Sequence, residues 1–322
     1  MASSLNLTLL NTSLGAYCRE NKQSLMAEIL LHQDFSNKFT VMAGVKDQVP
    51  LPQLYLSNIS KPLDFVNFTP TANAITPEAR ILQVRPVKVD VRIFPQEFYN
   101  TWLGQYAKKG AAPKLILEAF LMSEIANKAY NENHLISLYK GIYNVVGTTP
   151  ADCYDGWLQI IVNEIAAANI SVANDNLVGT GVLTPANIID NVEAVFDKLA
   201  DQYKMLPTQM LMSPTNYMMY QRAYRLAFGQ NHGYNGMEKV LGEGTYIDGT
   251  MCRIIPEPGM AGSNRIICTI KENMYYGVDM DSDLSEPRTQ VDHRAIDIMM
   301  DWRVGVQFRQ IKNGILVVNE QN

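Results

Sequence analysis

The sequence predicts an α+β fold, in which helices and strands occupy different stretches of the chain. Three observations lead to this prediction. Residues 87–93 alternate apolar and polar side chains, which is the period of a half-buried strand. Residues 113–139 carry apolar side chains at helical spacing. Residues 263–322 consist largely of strand-like segments. The 322 residues suffice for one large domain or two of ordinary size.

Residues 1–75 contain few periodic segments and much Asn, Ser, Thr and Pro. One amphipathic stretch, residues 18–33, predicts a helix. The chain around it is expected to be extended, because its prolines exclude a continuous helix or a central strand. Such long irregular segments are rare inside a compact domain. We therefore expect an arm or loop that packs on another element, for example on a second copy of the chain.

The strand over 87–93 is the clearest element of the amino-terminal half. Its apolar face comprises Val87, Val89, Val91 and Ile93, and its polar face comprises Lys88, Asp90 and Arg92. Upstream of Pro86 the apolar residues Leu82 and Val84 have the opposite parity. This change of phase at a proline predicts a bulge or bend.

Two helices follow. Residues 95–110 predict a short helix that closes at Gly110. Pro113 suits the first position of a longer helix that ends before Gly141. The predicted apolar face of this longer helix comprises Ile116, Leu117, Phe120, Leu121 and Ile125.

Residues 150–262 alternate helix and strand, and the composition shift near residue 150 indicates a domain boundary. Asp152 or Asp155 is a candidate cap for a helix over 156–170. Thr184 with Pro185, and Ser213 with Pro214, predict two further helix starts.

Strands are predicted in the same region and beyond it, over 208–213, 250–255, 265–270, 273–278 and 293–311. A glycine-rich loop is predicted over 229–249. Near the carboxyl terminus, Asn313 and Gly314 predict a hairpin turn into a strand over 315–319.

Composition excludes several function classes. No apolar run is long enough to cross a bilayer, and no basic residue precedes Arg19, which argues against a secretory signal. The four cysteines are widely spaced with no CxxC, so a reducing compartment is expected. The net charge of −5 argues against binding nucleic acid by neutralising phosphates, although it is compatible with enclosing nucleic acid.

The acidic stretch "GVDMDSDLSE" (277–286) is the best candidate for a metal site. Asp279, Asp281 and Asp283 have the spacing of the first three ligands of a calcium loop. However, Leu284 and Gln290 stand where that loop requires Gly and Glu, which excludes an EF-hand. We expect a solvated loop between strands, with incidental cation binding left open.

No catalytic, cofactor-binding or metal-binding residues are predicted. The sequence has no GxSxG, HExxH or GxxxxGK[ST] motif, and Gly242, Gly244 and Gly249 do not form a dinucleotide fingerprint. His293 follows Asp292, but neighbours on a strand point to opposite faces, so we expect a surface histidine. An enzyme with a cleft in 150–262 remains an alternative, although no convergent titratable cluster indicates it.

Five stretches carry a resemblance to a known family: "DCYDGWLQII" (152–161), "QMLMSPTNYMMYQRAY" (209–224), "YIDGTMCRIIPEP" (246–258), "RIICTIKENMYYGVD" (265–279) and "DHRAIDIMMDWRVGVQFRQIKNGILVV" (292–318). Together with the order of elements, they resemble the major capsid proteins of tailed double-stranded DNA phages, which share the Hong Kong 97-like capsid fold. The likeness extends by element order over about residues 40 to 320.

The resemblance implies a domain organisation. It comprises an N-terminal arm (1–39), an extended β-hairpin loop that reaches over a neighbouring subunit (40–95), a peripheral domain with a spine helix over 113–139 (96–149 and 263–322), and an axial α/β domain (150–262). It also implies that the acidic loop lies near subunit contacts. Asp281 and Asp283 are then expected to meet an Arg or Lys of a neighbouring subunit.

The resemblance further implies a structural protein of the virion, not an enzyme, with no cofactor and no membrane. It would assemble in the host cytoplasm as pentamers and hexamers into an icosahedral head that encloses double-stranded DNA without sequence-specific binding. Scaffolding, portal and decoration proteins are implied partners. An encapsulin-like nanocompartment with protein cargo is the alternative.

Two departures from relatives leave questions open. Some relatives carry a long, cleaved scaffolding segment, for which this sequence has no length, so the scaffold is expected to be separate or replaced by the arm. Others form Lys–Asn crosslinks, and no motif assigns Lys46 or Lys61 to such a pair.

Overall fold

The computed structural model describes residues 7–30, 37–56, 59–63, 70–72, 75–94, 113–228, 245–279 and 287–321. The chain forms two compact units. Unit 1 comprises Met1–Asp47, Val84–Gln159 and Tyr276–Gly305, and unit 2 comprises Gln48–Gln83, Ile160–Tyr275 and Val306–Asn322. None of the helices in the described residues combines the length and hydrophobicity that crossing a bilayer requires.

The described α-helices, numbered in chain order, are α1 (Leu7–Glu20), α2 (Lys22–Leu30), α3 (Pro113–Glu132), α4 (Trp157–Ala166), α5 (Ile188–Asp197), α6 (Asp201–Lys204) and α7 (Pro214–Phe228). The described strands are β1 (Thr40–Ala43), β2 (Gln48–Leu56), β3 (Ile75–Gln83), β4 (Arg85–Ile93), β5 (Leu177–Val178), β6 (Thr208–Met212), β7 (Thr245–Tyr246), β8 (Arg253–Pro256), β9 (Ile267–Ile270), β10 (Met274–Asp279), β11 (Arg288–Asp292), β12 (Ala295–Phe308) and β13 (Val317–Asn319). These elements form three sheets and confirm the predicted mixture of α and β structure.

The sheet of unit 1 is built around strand β12. Its strand order is β1-β10-β12-β11, and β4 also pairs with β12. The predicted strand over 87–93 is confirmed as β4, whose residues alternate between half-buried and exposed. The predicted break lies at Val84, two residues before Pro86, because β3 ends at Gln83 and β4 begins at Arg85, and Pro86 itself pairs with Arg303 of β12. Leu82 and Val84, on the opposite parity, are buried.

Helix α3 confirms the predicted long helix and its end before Gly141. It continues through a π-helical turn, Asn133–Ser137, and a last turn, Leu138–Lys140. The prediction of which face of this helix is buried is wrong for the residues whose side chains are described. Phe120 is exposed and Leu121 is half-buried, whereas the buried face comprises Met122, Ala126 and Ala129. Small side chains on this face let α1 and α2 pack closely against α3.

In the amino-terminal segment, the predicted helix over 18–33 is confirmed over the described residues 18–30 apart from a turn at Asn21, whereas the irregular chain expected before it is helical from Leu7. Residues 7–30 form α1 and α2, which bury Leu14, Cys18, Leu25, Met26, Ile29 and Leu30. The thiol of Cys18 lies 3.8 Å from the Met122 sulfur of α3. This segment is therefore part of unit 1, and these apolar side chains are buried within the same chain.

Unit 2 contains a six-stranded sheet in the order β5-β13-β9-β6-β8-β7. The predicted strand over 208–213 is confirmed as β6, in which every residue is buried. The Ser213 cap of α7 is confirmed by a 3.3 Å hydrogen bond from the Asn216 amide to Ser213 Oγ. Helices α5 and α7 pack with this sheet in one core, which includes Val192, Phe196, Met210, Tyr220, Ile254 and Cys268.

Three local predictions need correction. Asn313 and Gly314 have the positive φ values of the predicted turn, but β13 then pairs with β5 and β9, so no hairpin with β12 forms. Helix α5 begins at Ile188, after a turn at Thr184. The candidate caps of α4 make other bonds: Asp152 accepts from Thr149, and Asp155 accepts from the Tyr143 amide. The predicted helix over 95–110 lies outside the described residues.

Candidate functional site

The acidic stretch is only partly described. Asp279 is the last residue of β10 and is buried. Asp281, Asp283 and Glu286 lie outside the described residues, so their contacts stay a prediction. Within the described part of the chain, no group of three or more His, Cys, Asp or Glu side chains could hold a metal ion.

The His293 and Asp292 side chains make a contact that the sequence argument did not predict. His293 Nδ1 lies 2.6 Å from Asp292 Oδ1. His293 lies in the turn between β11 and β12 with a φ of 51°, so the alternation of side chains along a strand does not apply to it. Its side chain is 93% exposed, which agrees with the expected surface histidine. A pair on the protein surface, such as this one, offers no enclosed site for a substrate.

The most distinctive surface of the described chain is the two-stranded ribbon formed by β2 and β3, which we call the ribbon. The strands pair antiparallel from Gln48 opposite Gln83 to Leu56 opposite Ile75. Because side chains alternate between the two faces of a strand, the pairing assigns each residue to one of two faces.

The inner face of the ribbon is fixed to unit 2. It carries Val49, Leu51, Gln53 and Tyr55 of β2 opposite Leu82, Arg80, Glu78 and Thr76 of β3. Leu51, Gln53 and Leu82 are buried. Burial, followed by the nearby Glu78 carboxylate, raises the pKa of the Tyr55 hydroxyl. This face therefore packs within the chain.

Arg80 anchors the base of the inner face. Its guanidinium donates to Glu164 Oε1 of α4 at 2.6 Å, to Gln307 Oε1 at 2.9 Å and to the Phe308 carbonyl at 2.9 Å. The Arg80–Glu164 pair is largely shielded from water, so it is stronger than an exposed ion pair. A weaker contact of 3.3 Å joins Lys312 and Glu78. The anchor holds the ribbon in one orientation on unit 2.

The outer face of the ribbon is apolar and exposed. It comprises Pro50, Pro52 and Leu54 of β2 and Ile75, Pro77, Ala79 and Ile81 of β3. Leu54, Ile75 and Ile81 are 59%, 60% and 53% exposed. Single exposed apolar residues are ordinary on protein surfaces, but a contiguous apolar face on a ribbon indicates a contact surface.

The composition of the outer face suits it to binding. The outer face contains no nucleophile, acid, base or metal ligand among its described side chains. Its prolines remove backbone donors, which prevents uncontrolled pairing along the ribbon edges. The arrangement is therefore suited to binding a complementary protein surface.

The sequence contained a signal for this face that the prediction of an irregular segment missed. Prolines and apolar residues share one parity over 50–54 and again over 75–81. Only the pairing of the two strands brings the two sets onto one face. Thus the face could not be recognised before the register was known.

Comparison with known proteins identifies the fold. No protein-family model matches the chain, and no curated protein sequence matches it. Among solved structures, a chain of the satellite phage P4 procapsid, determined with the size determination (Sid) protein, matches with a TM-score of 0.60 and 11% identity. That match covers 98% of this chain and 98% of the other.

Two further capsids are similar. A chain from the capsid of an empty GTA particle matches with a TM-score of 0.55 and 12% identity, over 88% of this chain and 94% of the other. A chain from the capsid of Myoviridae phage XM1 matches with a TM-score of 0.52 and 11% identity, over 89% and 91%. The chain therefore has the α+β fold of phage capsid proteins, which confirms the predicted fold class.

Proposed function

We propose that this protein is the major capsid protein of a tailed double-stranded DNA phage. The observation that carries the proposal is the likeness to a chain of the satellite phage P4 procapsid over nearly the full length of both chains. The match covers 98% of the procapsid chain as well. The likeness therefore includes nearly all of the protein that forms that procapsid, and the proposal does not rest on one shared domain.

The ribbon supplies the physical reason for assembly. Burying one exposed Leu or Ile side chain contributes about 1.5–3 kcal/mol, and the outer face exposes several apolar residues together. The Arg80 anchor orients this face in advance, so less conformational entropy is lost when it binds. We propose that the outer face packs on a neighbouring subunit.

The finer features of the proposal concern the assembled shell. The subunits form pentamers and hexamers in an icosahedral head that encloses double-stranded DNA. The net charge of −5 suits a shell that does not hold DNA by phosphate neutralisation. Scaffolding, portal and decoration proteins are the proposed partners, assembly takes place in the host cytoplasm, and the product belongs to the virion.

The proposed domain roles keep the organisation stated from the sequence, with one change. Residues 40–95 supply the intersubunit loop, 96–149 and 263–322 the peripheral domain, and 150–262 the axial domain. The arm proposed for residues 1–39 is restricted by α1 and α2, which pack on α3 of the same chain. Intersubunit contact by the amino terminus is therefore not needed for its folding.

Electron microscopy of the purified full-length chain tests the proposal. The wild-type protein is expected to form uniform shells or rings of five and six subunits. The Leu54→Asp/Ile81→Asp variant is expected to lose them, because it places two carboxylates on the outer face of the ribbon. Both sites are already more than half exposed, so the isolated subunit should unfold at the wild-type denaturant concentration.

Thr76→Asp is the matched control, because Thr76 follows Ile75 on the same strand but belongs to the inner-face parity and is itself exposed. It should assemble as the wild type does. A wild-type chain that remains a dispersed monomer, with or without scaffold, would refute the shell proposal. Shells that form despite Leu54→Asp/Ile81→Asp would refute the role of the ribbon alone.

The contents of the shell separate the two kinds of enclosure. Nuclease-resistant DNA in shells from infected or induced cells is the expected result. A co-purifying protein cargo in place of DNA would favour an encapsulin-like compartment and would contradict the phage-head function.

A further inference from the structure

Strand β4 has one unpaired edge among the described strands. It pairs with β12 from Ile93 opposite Ile296 to Arg85 opposite Val304. Strand β11 pairs with the overlapping residues Ala295–Met299 of β12, so β11 and β4 lie on opposite sides of β12. No described strand pairs with the far edge of β4. Within the described part of the chain, the outward amide and carbonyl groups of residues 87–93 can therefore accept a further strand.

Burial within this sheet agrees with the lack of a neighbouring strand for β4 among the described residues. Ile296, Ile298, Met300 and Trp302 of β12 are buried. The residues directly opposite them on β4, namely Ile93, Val91, Val89 and Val87, are only half-buried. Opposed residues share one face of a sheet, so this difference arises from the uncovered edge of β4.

A cleft borders the half-buried residues. It has a volume of about 1070 Å³ and is lined by β4, by α3 residues including Leu121 and Ile125, and by parts of 143–154 and 301–303. The apolar part of this lining includes Val87, Val89, Val91, Leu121, Ile125 and Trp302. A strand added to the edge of β4 would project alternate side chains towards this lining.

The sequence of β4 is complementary to itself. If two copies of β4 pair antiparallel about Val89, then Val89 faces its own counterpart and Val87 faces the partner's Val91. On the other face, Lys88 of each copy lies opposite Asp90 of the other, which gives two opposite-charge pairs. A shift by one residue would place Val89 opposite a charged residue, so this register is specific.

We propose that the free edge of β4 binds β4 of a second copy of this chain about a two-fold axis through Val89. The contact is isologous, joins the two sheets into one, and covers the apolar part of the cleft lining with valines of the partner copy. This contact uses a different surface from the ribbon. It can therefore be tested separately from the proposed shell function.

Lys88, Asp90 and Pro86 also limit which strands could pair with the edge of β4. Lys88 and Asp90 lie 2.6 Å apart within one chain and are solvated, so exchanging this contact for intermolecular pairs costs little. Pro86 cannot donate a ladder hydrogen bond, and a lysine on an edge disfavours unspecific strand addition. A partner strand therefore needs an acidic residue opposite Lys88, and a second β4 provides it.

Disulfide trapping tests the predicted axis. In the Cys153→Ser background, which leaves only native cysteines that are buried, Val89→Cys places a thiol on the axis. Opposed residues of an antiparallel pair have Cα atoms about 4.5–5.5 Å apart, within the range of a disulfide. Mild copper-catalysed air oxidation of the full-length protein should give a covalent dimer on a non-reducing gel.

Val87→Cys is the matched control. In the proposed pairing, the Val87 positions of the two copies are four residues apart along the strand, about 13 Å, which is beyond the reach of a disulfide. Val87→Cys alone should give only the background of the parent protein. A mixture of Val87→Cys and Val91→Cys chains should cross-link, because these two positions oppose each other across the axis. Shells or oligomers that form without any Val89→Cys dimer would overturn the β4 contact and leave the proposed shell function intact.

Charge exchange provides an independent test. Lys88→Asp alone and Asp90→Lys alone each place like charges opposite each other twice, which should weaken association by about tenfold or more. Mixing the two variants restores both opposite-charge pairs, so the mixture should associate as the wild type does in sedimentation. If the mixture stays as weak as its components while both fold by circular dichroism, the proposed pairing is wrong.

Discussion

The carboxyl-terminal end of α3 and the ribbon differ in how much of their surface is buried within the chain. At the end of α3, Gly141 and Gly156 meet: the Gly156 amide donates to the Gly141 carbonyl at 2.9 Å. We call the buried contacts among Asn133, Ser137, Gly141, Tyr154 and Gly156 the α3 junction. Its polar groups bond within the chain, and its glycines are pressed against backbone. The ribbon instead buries one face and exposes an apolar opposite face.

This difference separates two kinds of requirement. The α3 junction is complete within one chain, so its substitutions should act on folding before any partner is present. The outer face of the ribbon is exposed in the single chain and is proposed to bind a neighbouring subunit, so its substitutions should act on association and leave folding unchanged. The following predictions rank positions by their expected effect on the free energy of unfolding.

The largest effect is expected for Gly141→Ala. A Cβ atom there would lie 2.2 Å from the Tyr154 carbonyl oxygen and 2.5 Å from the Ser137 carbonyl oxygen. Both atoms belong to the backbone, so the clash is relieved only by moving the helix end. We expect a loss of about 4 kcal/mol. Urea unfolding followed by tryptophan fluorescence measures it, because Trp157 and Trp302 both belong to unit 1.

Gly179→Ala is the control for this substitution. Its added Cβ would lie 3.5 Å from Glu320 Oε2, an ordinary contact with a side chain. We expect a change within about 0.5 kcal/mol, measured by hydrogen exchange of the neighbouring amides because Gly179 belongs to unit 2, which contains no tryptophan. Equal losses for the two alanines would show that the α3 junction is not closely packed. Both measurements are best made in the Leu54→Asp/Ile81→Asp background, so that dissociation does not contribute.

The second effect concerns Asn133, which lies in the π-helical turn of α3. Its side-chain amide donates to the Tyr276 hydroxyl at 3.1 Å and accepts from the Tyr154 hydroxyl at 2.6 Å. All three residues are buried, so Asn133→Ala leaves two hydroxyls without these partners. We expect a loss of about 3 kcal/mol in the same urea assay.

Asn127→Ala tests whether the loss follows from burial. Asn127 lies on the same helix, is exposed, and makes one long hydrogen bond of 3.4 Å to Ser123. Its replacement should change the unfolding free energy by less than about 0.5 kcal/mol. A comparable cost at both asparagines would contradict the contrast between buried and exposed amides.

The parts that were predicted from the sequence depend on local pattern. The alternation in β4 and the Ser213 cap of α7 follow from neighbours within a few residues, and both are present. The fold class followed from the order of such elements. By contrast, α1 was not predicted, because Asn11, Thr12 and Ser13 interrupt its apolar pattern. Its packing on α3 compensates for this weak propensity.

The remaining features depend on long-range pairing. The turn at Asn313 and Gly314 was predictable, but the partners of β13 are strands from residues 177–178 and 267–270. Likewise, the faces of the ribbon depend on the register between β2 and β3. No local pattern specifies such registers, which are selected by the burial that each alternative achieves.

The third prediction compares two leucines of one strand. Leu51 lies on the inner face of the ribbon and is 3% exposed, whereas Leu54 lies on the outer face and is 59% exposed. Leu51→Ala removes buried contacts and should cost about 2 kcal/mol, whereas Leu54→Ala should cost less than about 0.5 kcal/mol. Unit 2 contains no tryptophan, so hydrogen exchange of the ribbon amides is the suitable measurement.

Assembly should rank the same two variants in the opposite order. Leu54→Ala leaves the ribbon amides protected but removes apolar area from the proposed contact, so it should raise the protein concentration needed for shells. Leu51→Ala should lower protection while leaving the outer face chemically unchanged. If Leu54→Ala lowered protection as much as Leu51→Ala, the outer face would be packed within its own chain. It would then not be available to a neighbouring subunit, and the contrast between the ribbon and the α3 junction would fail.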